Sequence, residues 1–145
     1  RLAERIAVMA DRAEGVNVVD LRSPEAGSRT LCGGKGAELA ELIGARQAVE
    51  VGTFTGYSAL CLARALPPDG RLVCCDLSEE WTAVGIPFWE EAGVRARIDL
   101  RIGPAIDTLD RLLAEGMGGD FDLAFIDADV VAPGAVGEPM PTKSP

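Results

Sequence analysis

Four carboxylates stand where short apolar runs end. Glu50 follows "QAV", Asp76 closes "RLVCCD", and Asp127 and Asp129 follow "LAFI" in "FDLAFIDAD". Acids gathered at one rim repel one another and cost stability unless a cation or hydrogen-bond donors compensate them. A positively charged ligand or a metal ion is therefore the expected occupant. Each acid has a plainer reading on its own: Asp76 and Asp129 could cap the next helices, and Glu50 could be solvated. The four together favour the rim.

Beside Glu50 lies the turn "EVGTFTGYS". A dinucleotide fingerprint needs G-x-G-x-x-G, with the middle glycine letting the backbone approach a pyrophosphate. Phe54 occupies that place, so Gly52 and Gly56 allow a tight turn and a close ligand of another kind. Glu50 would repel a pyrophosphate and attract an ammonium or sulfonium group. Asp76, 76 − 52 = 24 residues after Gly52, is placed to accept hydrogen bonds from both ribose hydroxyls of a nucleoside. A cationic nucleoside fits these residues better than NAD. The chain has no histidine, and its lysines are Lys35 and Lys143, so neither an imidazole base nor a mid-chain ammonium group is available.

The elements that would position these acids follow from periodicity. Leu2, Ile6 and Met9 have helical spacing, and residues 15–36, rich in glycine and polar residues, read as loop. "AELAELIGA" predicts a helix with Leu39, Leu42 and Ile43 on one face. "QAVEVG", "RLVCCD", "ARIDLRIG" and "FDLAFIDA" predict four strands. Between them lie helices in "GYSALCLARAL", in "SEEWTAVGIPFWEEAG" with Ser78 as N-cap and Gly93 past its end, and in "PAIDTLDRLLAEG". Alternating strands and helices predict a doubly wound, Rossmann-like α/β sheet of about four parallel strands with flanking helices. Ligands of such sheets bind outside the carboxyl ends of the strands, where the four acids stand. Trp81, Phe88 and Trp89 read as core or rim rather than stacking platforms.

Composition narrows the partners. The chain has 145 residues, 48% of them hydrophobic, which suits one domain; 14 Lys plus Arg against 23 Asp plus Glu give a net charge of −9. That balance disfavours DNA and anionic membrane surfaces and leaves a small-molecule partner. Cys32, Cys61, Cys74 and Cys75 lack C-x-x-C spacing, and adjacent strand residues point to opposite faces, so they read as reduced thiols of a cytoplasmic protein. No apolar run approaches the roughly 20 residues needed to span a bilayer. The chain starts with Arg1, and the expectation is a piece of a longer protein.

"VEVGTFTGYSALCLA", "GRLVCCDLSEEW", "FWEEAGV", "RIDLRIGPAIDTLD" and "FDLAFIDAD", in this order from about Ala37 to Asp129, resemble the successive motifs of the cation-dependent O-methyltransferases of the caffeoyl-CoA and catechol type. The resemblance implies S-adenosylmethionine as methyl donor, Mg2+ or a similar divalent cation, and a small, catechol-like hydroxyl acceptor. By that resemblance Glu50 holds the methionine part of the donor, Gly52 and Thr53 line it, and Ser58 bonds near its carboxylate. Asp76 takes the ribose, Ala105 meets the adenine through its backbone, Asp129 contacts the amino group, and Asp127 is a metal ligand. Val130 stands where the family usually has a lysine, so no catalytic residue is identified. Residues 1–129 read as a partial methyltransferase domain and residues 130–145 as a Pro/Gly-rich tail outside the family pattern, as in a truncated product. Truncation would leave "LAFI" as an uncovered sheet edge and favour marginal stability or homo-oligomerisation. Two alternatives stay open: a catalytically inactive donor-binding fragment, and an NAD-binding oxidoreductase fragment, which Phe54 and Glu50 disfavour.

Overall fold

The computed structural model describes residues 17–20 and 32–126, with side chains from Gly36 onward. Its elements in chain order are β1 (Asn17–Asp20), α1 (Cys32–Leu42), β2 (Gln47–Val51), α2 (Tyr57–Ala65), β3 (Arg71–Asp76), α3 (Glu79–Glu91), β4 (Ile98–Ile102), α4 (Ala105–Ala114) and β5 (Leu123–Ile126). The strands form one sheet of order β1-β5-β2-β3-β4, and every pairing in it is parallel. The expected doubly wound α/β class is thus realised. The four predicted strands are all present, and the expected amino-terminal helix over 2–13 lies outside the described residues. Among the described residues no helix is long and apolar enough to cross a membrane.

Strand alternation divides the interior into two apolar layers. Ala48, Leu72, Cys74, Leu123 and Phe125 face one side, where Ala40, Leu62 and Trp89 of α1, α2 and α3 cover them. Val49, Val51, Val73, Cys75, Ala124 and Ile126 face the other, under Leu109 and Leu112 of α4. Burial on both faces explains why these strands read as continuous apolar runs. Cys74 and Cys75 fall in opposite layers, as adjacent strand residues must, and both are buried free thiols.

Two expectations within residues 15–36 change. Asn17–Asp20, read as loop, forms β1 and pairs with β5 from Asn17↔Leu123 to Asp20↔Ile126. β5 therefore has β1 on one side and β2 on the other, and the predicted bare edge at "LAFI" is covered. The edge strands of the described sheet are β1 and β4. Helix α1 begins at Cys32, five residues before the predicted start at Ala37 (37 − 32 = 5), and takes in glycines that resembled loop signals. The reason is close packing: a Cβ on Gly36 would stand 2.8 Å from the Phe125 ring and 3.2 Å from Leu62. Small residues, Gly36 and the fully buried Ala40, thus form the inward stripe, while Leu42 is 85% exposed and Ile43 is also exposed. Of the predicted Leu39-Leu42-Ile43 face, Leu39 packs against the core, while small residues rather than Leu42 and Ile43 let α1 approach the sheet.

The amino ends of the strands are held by charge. The Asp122 carboxylate, just before β5, accepts from the backbone N–H of Arg46 at 2.9 Å and of Gln47 at 3.1 Å, fixing the start of β2. On β3 and β4, Asp99 accepts from Arg71 and Arg101, and Arg101 also pairs with Glu115 at 3.0 Å. Burial pushes the Asp99 carboxyl up, but hydrogen bonds and charge from Arg101 and Arg71 outweigh it and hold it below its ordinary 3.8. A carboxylate depressed on folding contributes stability that is complete above its unfolded pKa and is lost as pH falls through the lower folded value. In urea titrations, the stability difference between wild type and Asp99→Asn is expected to be constant near neutrality and to shrink in acid below the ordinary carboxylate range. A difference that does not vary with pH would show that the ion pairs contribute nothing.

Candidate functional site

The carboxyl ends of β2 and β3 meet at a turn with unusual backbone. Gly52 has φ 93° and Gly56 φ 89°, in the left-handed region that glycine enters without a Cβ clash. Phe54 lies between them at φ 54°, which for a bulky residue costs on the order of 1–2 kcal/mol. Three hydrogen bonds shape the turn. Gly52 N–H donates to the Cys75 carbonyl at 2.8 Å, Gly56 N–H to the Thr53 carbonyl at 3.0 Å, and Phe54 N–H to Asp76 Oδ2 at 2.8 Å. The Phe54 ring packs edge-on against Trp81 with centroids 4.4 Å apart.

Asp76 gathers the site. Oδ2 takes the Phe54 N–H, and Oδ1 takes the Ser78 N–H at 2.8 Å. A carboxylate offers about four lone-pair sites, so two backbone donors orient it and leave room for further donors from a ligand. Ser78, as expected, is the N-cap of α3, its Oγ accepting from Trp81 N–H at 3.2 Å, so Asp76 is not itself the cap but holds the cap residue's N–H. The Asp76 carbonyl accepts from Gly103 N–H at 2.9 Å, which brings the β4–α4 turn, and Ala105 at the head of α4, to the same sheet edge.

Glu50 is fully buried rather than solvated. Its Oε2 accepts from Ser58 Oγ at 2.6 Å, so the hydroxyl on the first turn of α2 is spent on holding this carboxylate. Register sets Glu50 opposite Cys74, two residues before Asp76, so both acids project from one face. They are separated by about 7 Å along the strand direction. Burial first, and then the charge of Glu50, push the Cys74 thiol well up and the Cys75 thiol to about 12, so neither is a thiolate nucleophile near neutrality. Thr53 is buried, and its hydroxyl makes no hydrogen bond among the described residues beyond its approach to the Cys74 thiol, a weak acceptor.

Of the eight residues named from the sequence, Glu50, Gly52, Thr53, Ser58, Asp76 and Ala105 are thus described and lie at or beside the carboxyl edge. Asp127 and Asp129, like Val130, lie outside the described residues; they follow Ile126, which sits level with Val51. Among the described residues no three acidic or cysteine side chains are arranged to hold a metal ion. A cleft of about 640 Å3 opens at the opposite end of the sheet, lined by Arg46, Arg71, Asp122 and neighbours, remote from Asp76. Sequence reasoning missed the part of the Phe54 and Ser78 amides in orienting Asp76, since a backbone N–H carries no residue signature. Phe54 was noticed only for the glycine it replaces.

Parallel strands with helices on both faces define a doubly wound α/β protein, a class whose ligands bind at the carboxyl edge of the sheet, where the glycine turn and the oriented Asp76 carboxylate stand. Within this class the chain belongs to the O-methyltransferase family, whose sequence profile matches residues 36–132. It is 55% identical over 93 residues to the mouse catechol O-methyltransferase domain-containing protein 1, covering 64% of this chain and 36% of that protein. It is 46% identical over 91 residues to caffeoyl-CoA O-methyltransferase 1 of Eucalyptus globulus, covering 63% and 37%. Among solved structures, the O-methyltransferase TomG of Streptomyces achromogenes in complex with SAM superposes with a TM-score of 0.65 at 33% identity, over 88% of this chain and 53% of that one. A Bacillus cereus O-methyltransferase in complex with SAH gives 0.60 at 33% identity, over 74% and 48%. The chain spans little more than a third of those curated relatives and about half of those solved chains.

Ser58→Ala removes a donor from a buried carboxylate. It is expected to lower the unfolding free energy by about 1.5–3 kcal/mol, the range for hydrogen bonds to charged groups. Urea titration checks this; a change below about 0.5 kcal/mol would mean that the Ser58–Glu50 bond is not formed in solution.

Proposed function

We propose that this chain provides the methyl-donor half of an S-adenosylmethionine-dependent O-methyltransferase acting on a hydroxyl of a small, catechol-like acceptor. The observation that carries the reading is the Asp76 carboxylate, oriented by two backbone N–H groups beside a glycine turn. The residues present fit the donor. Asp76 keeps acceptor capacity for two ribose hydroxyls, the buried Thr53 hydroxyl has hydrogen-bonding capacity to offer, and Glu50 puts negative charge behind the turn. An NAD reading fits less well, because Phe54 fills the middle-glycine place of a pyrophosphate turn.

The donor supplies an electrophilic methyl group on a positively charged sulfur. Transfer to oxygen then depends on alignment and on a nucleophilic acceptor. In this reading Asp76 anchors the ribose, the Gly103–Ala105 turn meets the adenine, and Gly52 and Thr53 line the methionine portion. Glu50 favours the cationic end through space, with Ser58 fixing the carboxylate rather than reaching the ligand. Asp129 takes the donor's amino group, and Asp127 is one ligand of a divalent cation such as Mg2+, which would lower the pKa of a bound phenol from its usual ~10. Mg2+ requires near-octahedral oxygen ligation, so Asp127 needs further oxygen ligands from water, acceptor or protein. Within the described sheet the edges open to strand addition by a homo-oligomer are β1 and β4.

Titration calorimetry with S-adenosylmethionine is expected to show saturable binding, and Asp76→Ala to weaken it at least tenfold through lost hydrogen bonds to a charged acceptor. Heat with NAD and none with S-adenosylmethionine would overturn the reading. A methyl-transfer assay with a catechol and Mg2+ tests the second half: turnover that Asp127→Ala abolishes supports it, and donor binding without turnover restricts the chain to binding.

A further inference from the structure

Helix α3 holds the donor turn from behind, through two residues that the site as described does not use. Trp89 is fully buried, and its indole N–H donates to the Gly56 carbonyl at 3.0 Å. That carbonyl also accepts the Leu60 N–H at 2.9 Å, the bond that starts α2, so the indole grips the joint between turn and helix. The fit leaves no slack. A Cβ on Gly56 would stand 2.7 Å from the Trp89 ring, and a Cβ on Gly85, one helical turn earlier, 2.7 Å from the Thr55 carbonyl oxygen. The Arg95 guanidinium lies 5.9 Å from the Trp89 ring centroid, close enough to help hold the indole.

These contacts close a circuit. Asp76 Oδ1 receives the Ser78 N–H at the head of α3, Trp89 near its far end donates its indole N–H to the Gly56 carbonyl of the turn, and the turn returns to Asp76 Oδ2 through Phe54 N–H. Ser58, two residues beyond Gly56, carries the geometry on to Glu50. A buried indole needs an acceptor somewhere; placing it on the carbonyl that ends the turn makes the turn's position depend on α3. Resting on the methyl-donor reading above, we infer that Trp89 is a positioning residue that sets the methionine side of the site, Thr53 to Gly56 with Ser58 and Glu50, relative to the ribose anchor Asp76.

The test separates the two halves of the ligand. Trp89→Phe keeps an aromatic ring in the core and deletes the N–H. Calorimetry with S-adenosylmethionine is expected to show affinity reduced by about tenfold, while adenosine, which lacks the methionine portion, binds within about twofold of wild type. A second measurement needs no change at Trp89. Nitrogen-15 NMR of the indole groups of the two tryptophans, assigned with Trp81→Phe, is expected to shift the Trp89 signal on adding S-adenosylmethionine and not on adding adenosine. Equal losses for both ligands in Trp89→Phe, or no loss for either, would overturn the inference, as would a Trp89 signal indifferent to which ligand is added. Failure of the wild-type chain to bind S-adenosylmethionine is a different result and overturns the donor reading itself.

Discussion

The end of β3 is where sequence, backbone and chemistry meet. Asp76 carries its charge at the carboxyl edge of a parallel sheet, and two main-chain N–H groups, from Phe54 and Ser78, grip its two oxygens. One donor belongs to the turn after β2 and the other to the entry of α3, so one carboxylate aligns two separate connections. The left-handed backbone of Phe54 is tolerable under this constraint: a charge-assisted hydrogen bond and an aromatic contact with Trp81 offset a conformation that a bulky residue rarely adopts. Without that grip the middle of the turn, flanked by glycines, would be held only through its ends at Gly52 and Gly56.

Glu50 illustrates the opposite regime. Burying an ionised carboxylate costs several kcal/mol unless donors surround it, and this one sits fully buried on the same layer as Ala48 and Cys74. The short bond from Ser58 compensates part of that cost and ties the first turn of α2 to β2. Its field reaches the neighbouring thiols, whose protonated form it favours together with burial. A hydrocarbon there would pack without penalty, so the acid is retained against the stability of the sheet, as expected of a group used by a site.

Much of this was legible in the residues, and the exceptions have physical causes. β2, β3 and β5 announce themselves as apolar runs because most of their residues are buried, and the edge strand β4 by the alternation of "IDLRI". β1 did not, since "NVVD" is four residues long and its partner lies 123 − 17 = 106 positions away. Three glycines near Cys32 resemble a loop until the Phe125 ring is seen where a side chain on Gly36 would have to be. At the site, residue types identified the acids and the turn. The groups that orient them were hidden, because two are backbone amides and the third is an indole that reads as core. Leu42 shows the converse error: helical spacing placed it inward, and the smaller Ala40 took the buried position.

Strand order also dictates a sequence of events as the polypeptide emerges from the ribosome. β2, β3 and β4 are neighbours both along the chain and across the sheet, whereas β5, the last described strand, lies between β1 and β2. A three-stranded unit can therefore assemble while β1 has no partner among the described strands. From Ile102 to Ile126 is 126 − 102 = 24 residues, about 1–5 s of translation at roughly 5–20 residues per second. For that interval the flank of β2 offers unpaired N–H and C=O groups to any passing strand. Insertion of "LAFI" ends the exposure and recruits β1 in the same step.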